Sequence, residues 1–260
     1  MKTLQEQIDF EKATVAKGPF VWFSAALMCA LTFTAAGKGF ASELKPNASS
    51  LIDPDQLHRK LNDKNLCVLD VRSQDEYDRG HIPGAPRVEV GDWKNLATAD
   101  GGLRDTKGWT DKVSPLGLRK EMHVVVYGSK LSDTARIWWL LKYVGVKNAS
   151  ILNGGWEWWM KKERPTETST PNISATEFKP DFQADRLEEI DSLKRLLNSP
   201  TVKFVDTRSI GEFSHGRIPG SAHLEWKELV AEDGRFKTKT QLQQLFRKRG
   251  IVPSETAVCY

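Results

Sequence analysis

Short apolar runs of strand length alternate along the chain with stretches whose apolar residues recur every three or four positions. Leu66-Cys67-Val68-Leu69-Asp70-Val71-Arg72 is such a run, continuous enough to be buried on both faces of a parallel sheet. His123 to Tyr127, Ala149 to Leu152, Val202 to Val205 and Thr256 to Tyr260 have the same character. Between them, Asp53-Pro54 opens a helix of about two turns, with Leu57 and Leu61 on one face. Asp133 is placed to cap a helix over 134–144, which Gly145 ends. Leu187, Ile190, Leu193 and Leu197 predict an amphipathic helix over 186–197, and a further helix covers 240–250. Strand and helix in alternation predict an α/β fold built on mostly parallel sheets flanked by helices.

The pattern is duplicated. Asp70-Val-Arg-Ser-Gln-Asp-Glu-Tyr-Asp-Arg-Gly-His-Ile-Pro-Gly recurs without a gap from Asp206 to Gly220, an offset of 206 − 70 = 136 residues. Eight of the fifteen positions are identical, and Tyr77 and Phe213 keep an aromatic in register, so chance does not account for the match. Gly117-Leu118 and Val126-Tyr127 return as Gly250-Ile251 and Cys259-Tyr260 at an offset of 133. The predicted organisation is a leader and linker over 1–46, a first domain over 47–160, a Thr/Ser/Pro-rich linker over 161–180 and a second domain over 181–260.

Composition changes this picture little. With 260 residues, 39% of them hydrophobic and 28% charged, the chain suits two modest globular domains. Its net charge of +4 is spread among acidic residues, so no nucleic-acid partner is expected. Cys29, Cys67 and Cys259 lack the spacing of a zinc or redox motif, and neither metal nor cofactor is implied. Phe20 to Ala36 is an uncharged apolar run, followed by Gly39-Phe40-Ala41-Ser42. It reads as a cleaved export signal or as a membrane anchor, so the protein is expected to be exported or membrane-tethered.

The Asp-x-Arg-Ser and Gly-x-Ile-Pro-Gly signatures, present in both halves, together with the turn Asn153-Gly154-Gly155-Trp156, resemble the rhodanese family of sulfurtransferases. That resemblance implies two tandem rhodanese-like domains, the second incomplete before its nucleophile loop. It implies a cysteine, directly after the central strand, that takes sulfane sulfur from thiosulfate or 3-mercaptopyruvate as a persulfide and yields it to a thiol or cyanide acceptor. Backbone N–H groups of the loop stabilise the thiolate.

By the resemblance the first copy carries Gly128 where the nucleophile would stand and is inert, while the matching position of the second copy is the one after Tyr260. Cys259 aligns with Val126 inside a strand and reads first as structural. Asp206 and Arg208, at the carboxyl end of their strand, are the candidate donor-binding residues. Their alternative reading is structural, with Arg208 paired to Glu212 as Arg72 would be to Glu76. Thiosulfate-using members carry a further arginine where this chain has Glu212, which weighs against a thiosulfate preference. A non-catalytic binding protein and a related phosphatase share the fold and remain alternatives.

Overall fold

The computed structural model describes residues 49–119 and 121–260. The apolar run Phe20 to Ala36 lies outside them. No described helix is long and apolar enough to cross a membrane. The chain divides into two compact units, the first holding 49–188 with Ala231–Phe236, the second Glu189–Val230 with Lys237–Tyr260.

The first unit is a four-stranded parallel sheet of β1 (Leu51–Ile52), β2 (Leu66–Asp70), β3 (His123–Tyr127) and β4 (Ala149–Leu152), in the order β1-β4-β3-β2. Helices α1 (Pro54–His58), α2 (Gln74–Asp78), α3 (Val90–Thr98), α4 (Thr106–Val113), α5 (Leu131–Tyr143) and α6 (Gly155–Lys161) flank or cap it. The central strands are apolar on both faces because helices cover both; Val124, Val125 and Val126 are wholly buried. Ile52, Leu57, Val68, Val125, Leu152 and Trp159 share one core cluster.

Helix α5 begins at Leu131, three residues before the predicted start, and Asp133 lies in its first turn instead of capping it. Lys130 stands at the cap position without a side-chain cap bond, and Thr134 Oγ1 donates back to Lys130 O. Burial of Trp138 requires a partner for its indole N–H, which donates to Ala149 O at 2.9 Å.

The predicted linker over 161–180 lies for the most part in a strap over 163–183 that runs along the first unit with almost no regular structure. Thr176 N donates to Ser114 O, Asp181 N to Val144 O and Gln183 N to Tyr143 O, all within 3.0 Å, and Phe178 is buried.

The second unit contains α7 (Ile190–Leu196), β5 (Val202–Asp206), α8 (Ile210–His215), β6 (Ala222–His223), α9 (Lys239–Lys248) and β7 (Thr256–Cys259). Its three described strands are parallel in the order β6-β5-β7. The predicted helix over 186–197 is shorter than its apolar pattern: a 3-10 turn at Ala184–Arg186 precedes α7, none of whose residues is buried.

Register fixes the functional corner in each unit. Asp70 on β2 stands beside Tyr127 on β3, and Tyr260 N donates to Val205 O just beyond the pair Val205 and Cys259. Asp206 pairs with His223, as Asp70 bridges to Arg87, so the duplication extends to backbone pairing.

Candidate functional site

Each corner is built on an aspartate at the carboxyl end of a strand. Asp206 is wholly buried and accepts from Arg208 N at 3.0 Å, Arg208 Nε at 3.0 Å and Arg208 Nη2 at 2.6 Å. Arg208 Nη2 also donates to Gly216 O at 2.7 Å. In the first unit Asp70 accepts the matching bonds from Arg72, whose Nη2 donates to Gly80 O at 2.7 Å. The structure thus brings Asp206 and Arg208 together, but each chiefly spends its polar atoms on the other.

The pairs of the alternative reading, Arg208 with Glu212 and Arg72 with Glu76, are not among the recorded hydrogen bonds or ion pairs of these residues. A buried carboxylate needs its compensating charge at hand, so each arginine turns back onto its aspartate. Each glutamate is instead at the third position of a short helix and closes a capping box: Glu212 Oε2 accepts from Ser209 N at 3.1 Å and Ser209 Oγ at 2.6 Å. Glu76 does the same with Ser73, and its other oxygen accepts from Ser129 Oγ at 2.8 Å. Bonds from Ser73 and then Ser129 hold the Glu76 carboxyl below its ordinary pKa.

Asp206 holds Arg208 above its ordinary pKa, its hydrogen bond outweighing burial. For Arg72 burial is the largest influence and acts against the charge, but the bond and charge of Asp70 more than offset it. The exposure of the two guanidinium side chains differs, at 20% for Arg208 against 2% for Arg72. Arg72 is sealed by Trp156, whose ring centroid lies 3.8 Å from the guanidinium carbon; Arg208 faces Tyr260 at 5.3 Å.

The tyrosines that end β3 and follow β7 tie each corner together, a role the sequence did not disclose although both copies carry one. Tyr127 OH donates to Asp70 Oδ2 at 2.5 Å and accepts from Ile82 N at 3.0 Å. Tyr260 OH accepts from Ile218 N at 2.9 Å and donates to Ser221 Oγ at 2.8 Å, Ser221 standing where the first copy has Ala85. Burial pushes the Tyr260 phenol up to about 12, so it stays protonated at neutral pH and can make that donation.

The two copies differ beside the tyrosine carbonyl, where the first has Val71 and the second Thr207. In the first unit only residues 128–130 separate β3 from α5. A Cβ on Gly128 would lie 2.7 Å from Val71 Cγ2 and 2.8 Å from Thr134 Oγ1, leaving no room for a side chain. In the second unit Thr207 replaces Val71. It is wholly buried, and both its N–H and its Oγ1 donate to Tyr260 O, at 2.9 and 2.8 Å.

Cys259 sits within β7, half-buried and in register with Val205. Cys67 lies within β2, where burial pushes its thiol up to about 12 and suppresses the reactive thiolate. Neither forms a disulfide, and no His/Cys/Asp/Glu cluster suited to a metal occurs among the described residues.

The rhodanese-like domain family matches residues 53–162 and again 189–260. The chain belongs to the rhodanese family. It is 29% identical over 238 residues to the sulfur carrier protein TtuD of Thermus thermophilus, covering 81% of each. A thiosulfate sulfurtransferase of Gallus gallus is 27% identical over 72% of this chain and 70% of that protein. The 3-mercaptopyruvate sulfurtransferase of Escherichia coli is 25% identical over 77% and 79%. The crystal structure of Escherichia coli SseA, described as a 3-mercaptopyruvate sulfotransferase, superposes with a TM-score of 0.70 at 25% identity, covering 81% of this chain and 87% of that one. Sulfurtransferases thus recur among the relatives of this rhodanese, and they differ in donor.

Proposed function

We propose that this rhodanese moves sulfane sulfur from a small anionic donor, thiosulfate or 3-mercaptopyruvate, to a thiol or cyanide acceptor, through a cysteine that directly follows Tyr260. The observation that carries this reading is the closure of the position after the tyrosine in the first unit, where a Cβ on Gly128 would meet Val71 and Thr134, so that the transferring cysteine is assigned to the second repeat. The second repeat is the transferring one, and the first is a structural partner.

In the first half-reaction the thiolate attacks the outer sulfur of the donor. With thiosulfate the S–S bond breaks and its electron pair leaves on sulfite; with 3-mercaptopyruvate the C–S bond breaks and the carbon takes a proton to give pyruvate. In the second, the acceptor attacks the outer persulfide sulfur and the thiolate is restored. Cyanide leaves as thiocyanate. The partly exposed Arg208 supplies positive charge at the mouth of this corner, and Asp206 keeps it in place.

The test is thiocyanate formation by the natural protein with each donor in turn. Glu212 places a carboxylate beside the corner and disfavours a dianion, so turnover is expected to be at least about tenfold faster with 3-mercaptopyruvate than with thiosulfate. Faster turnover with thiosulfate overturns the donor assignment, and no turnover with either overturns the reaction.

A further inference from the structure

His81 is wholly buried in the first unit, its ring stacked on Tyr77 with centroids 3.8 Å apart and planes 5° from parallel. Its Nδ1 lies 3.1 Å from Tyr77 O and its Nε2 3.2 Å from Ser169 O. Both neighbours are carbonyl oxygens, which only accept. A neutral imidazole has one donor and one acceptor nitrogen, so one contact would set lone pair against lone pair; the imidazolium has two donors and satisfies both.

Ser169 belongs to the strap, and the strap is fastened to the same point by further bonds. His81 N donates to Glu167 O at 2.8 Å and Glu167 N to His81 O at 2.9 Å. Gly84 N donates to Glu167 Oε1 at 2.7 Å, and that oxygen lies 3.7 Å from His81 Nε2.

The counterpart of His81 in the second unit is Arg217, an exposed side chain whose guanidinium lies 4.5 Å from the centre of the Phe213 ring and whose Nη1 donates to Phe213 O at 3.4 Å. The position holds a permanent cation in one copy and a titratable residue in the other.

We propose that His81 is an imidazolium when the strap is seated, and that it acts as a proton-operated clasp on residues 167–169. When the ring loses its proton, Nδ1 keeps its N–H toward Tyr77 O, because that carbonyl is fixed in α2 and also accepts from Gly80 N at 3.0 Å. Nε2 then turns a bare lone pair toward Ser169 O and the Glu167 carboxylate, and the irregular strap is what yields. The clasp is closed at the lower pH, provided Glu167 is ionised, and opens as pH rises. Other charged groups around the ring are held elsewhere: Asp70 by Arg72, Arg87 by Glu89 and Asp78 by Gln74, while the Tyr77 hydroxyl donates to Ala85 O. Of these groups, Glu167 alone is recorded within ion-pair reach of a ring nitrogen.

The test is nuclear magnetic resonance of the nitrogen-15-labelled full chain between about pH 5.5 and about pH 8.5. At the acid end both His81 ring nitrogens are expected to carry protons. As Nε2 loses its proton, the Glu167 amide should exchange at least about tenfold faster after correction for intrinsic rates, with the amides of β3 unchanged. His81→Arg, copying Arg217, is expected to keep the strap protected across the range. Glu167→Gln keeps an acceptor for Gly84 N but removes the counter-charge, and should move the opening to lower pH. A neutral ring throughout with steady exchange overturns the proposal, as does a wild-type pH response in His81→Arg. Should that variant fail to fold, an unmoved midpoint in Glu167→Gln overturns it equally.

Discussion

Replacing Asp70 by alanine is expected to cost the first unit about 3–5 kcal/mol, a large part of the ~5–15 kcal/mol that holds a typical domain folded. The carboxylate is wholly buried and receives the Arg72 main-chain N–H, the Arg72 guanidinium and the Tyr127 hydroxyl. Its loss strands a guanidinium that is 2% exposed and sealed beneath Trp156, with little access to solvent. Asp206→Ala removes the same bonds from Arg208, but that side chain is 20% exposed and Tyr260 OH also has Ser221 Oγ as a partner. The second substitution is therefore expected to cost less than the first. Urea denaturation of both variants measures the difference, and equal costs would show that burial does not set the strength of these corners.

Gly128→Cys is expected to destabilise the first unit by about 1–3 kcal/mol and to confer no sulfur transfer on it. The new Cβ meets Val71 Cγ2 and Thr134 Oγ1 at distances below any van der Waals contact. Neither neighbour yields cheaply: valine is stiff about its first torsion, and the threonine hydroxyl is committed to Lys130 O. The backbone cannot retreat either, since Gly128 O accepts from Trp156 N at 3.1 Å and lies 2.4 Å from where a Cβ on Gly155 would be. Adding Val71→Ala should recover part of the stability without restoring activity. A Gly128→Cys protein as stable as the wild type would contradict the closure of this position by Val71 and Thr134.

Much of the fold was legible because long apolar runs and an uninterrupted repeat carry their own register. β2, β3, β4 and β7 fall within the predicted runs and β5 passes its run by one residue at Asp206, whereas β1 and β6, two residues each, are too short to show any periodicity. The Thr, Ser and Pro content of the strap does not disclose its fastening, which is made largely by backbone groups that composition does not register.

At the site, Asp206 and Arg208 were legible as residues at the end of a strand, but their pairing with each other was not. Arg208 precedes α8, and the buried Asp206 two residues earlier has the stronger claim on it. The tyrosine locks were legible only as an identity between the copies. Their importance lies in what the hydroxyls reach, Asp70 in one copy and Ser221 in the other, and that depends on strand register and turn geometry.

Mapping the sulfur that the natural protein acquires from 3-mercaptopyruvate or thiosulfate, by peptide mass spectrometry before and after cyanide, discriminates most directly between the two repeats. The predicted result is one sulfur atom on a cysteine directly following Tyr260, released by cyanide as thiocyanate, with Cys67 and Cys259 unmodified. Sulfur carried by Cys259 or by any residue of the first unit, or transfer that persists when the residue after Tyr260 is not cysteine, would contradict it.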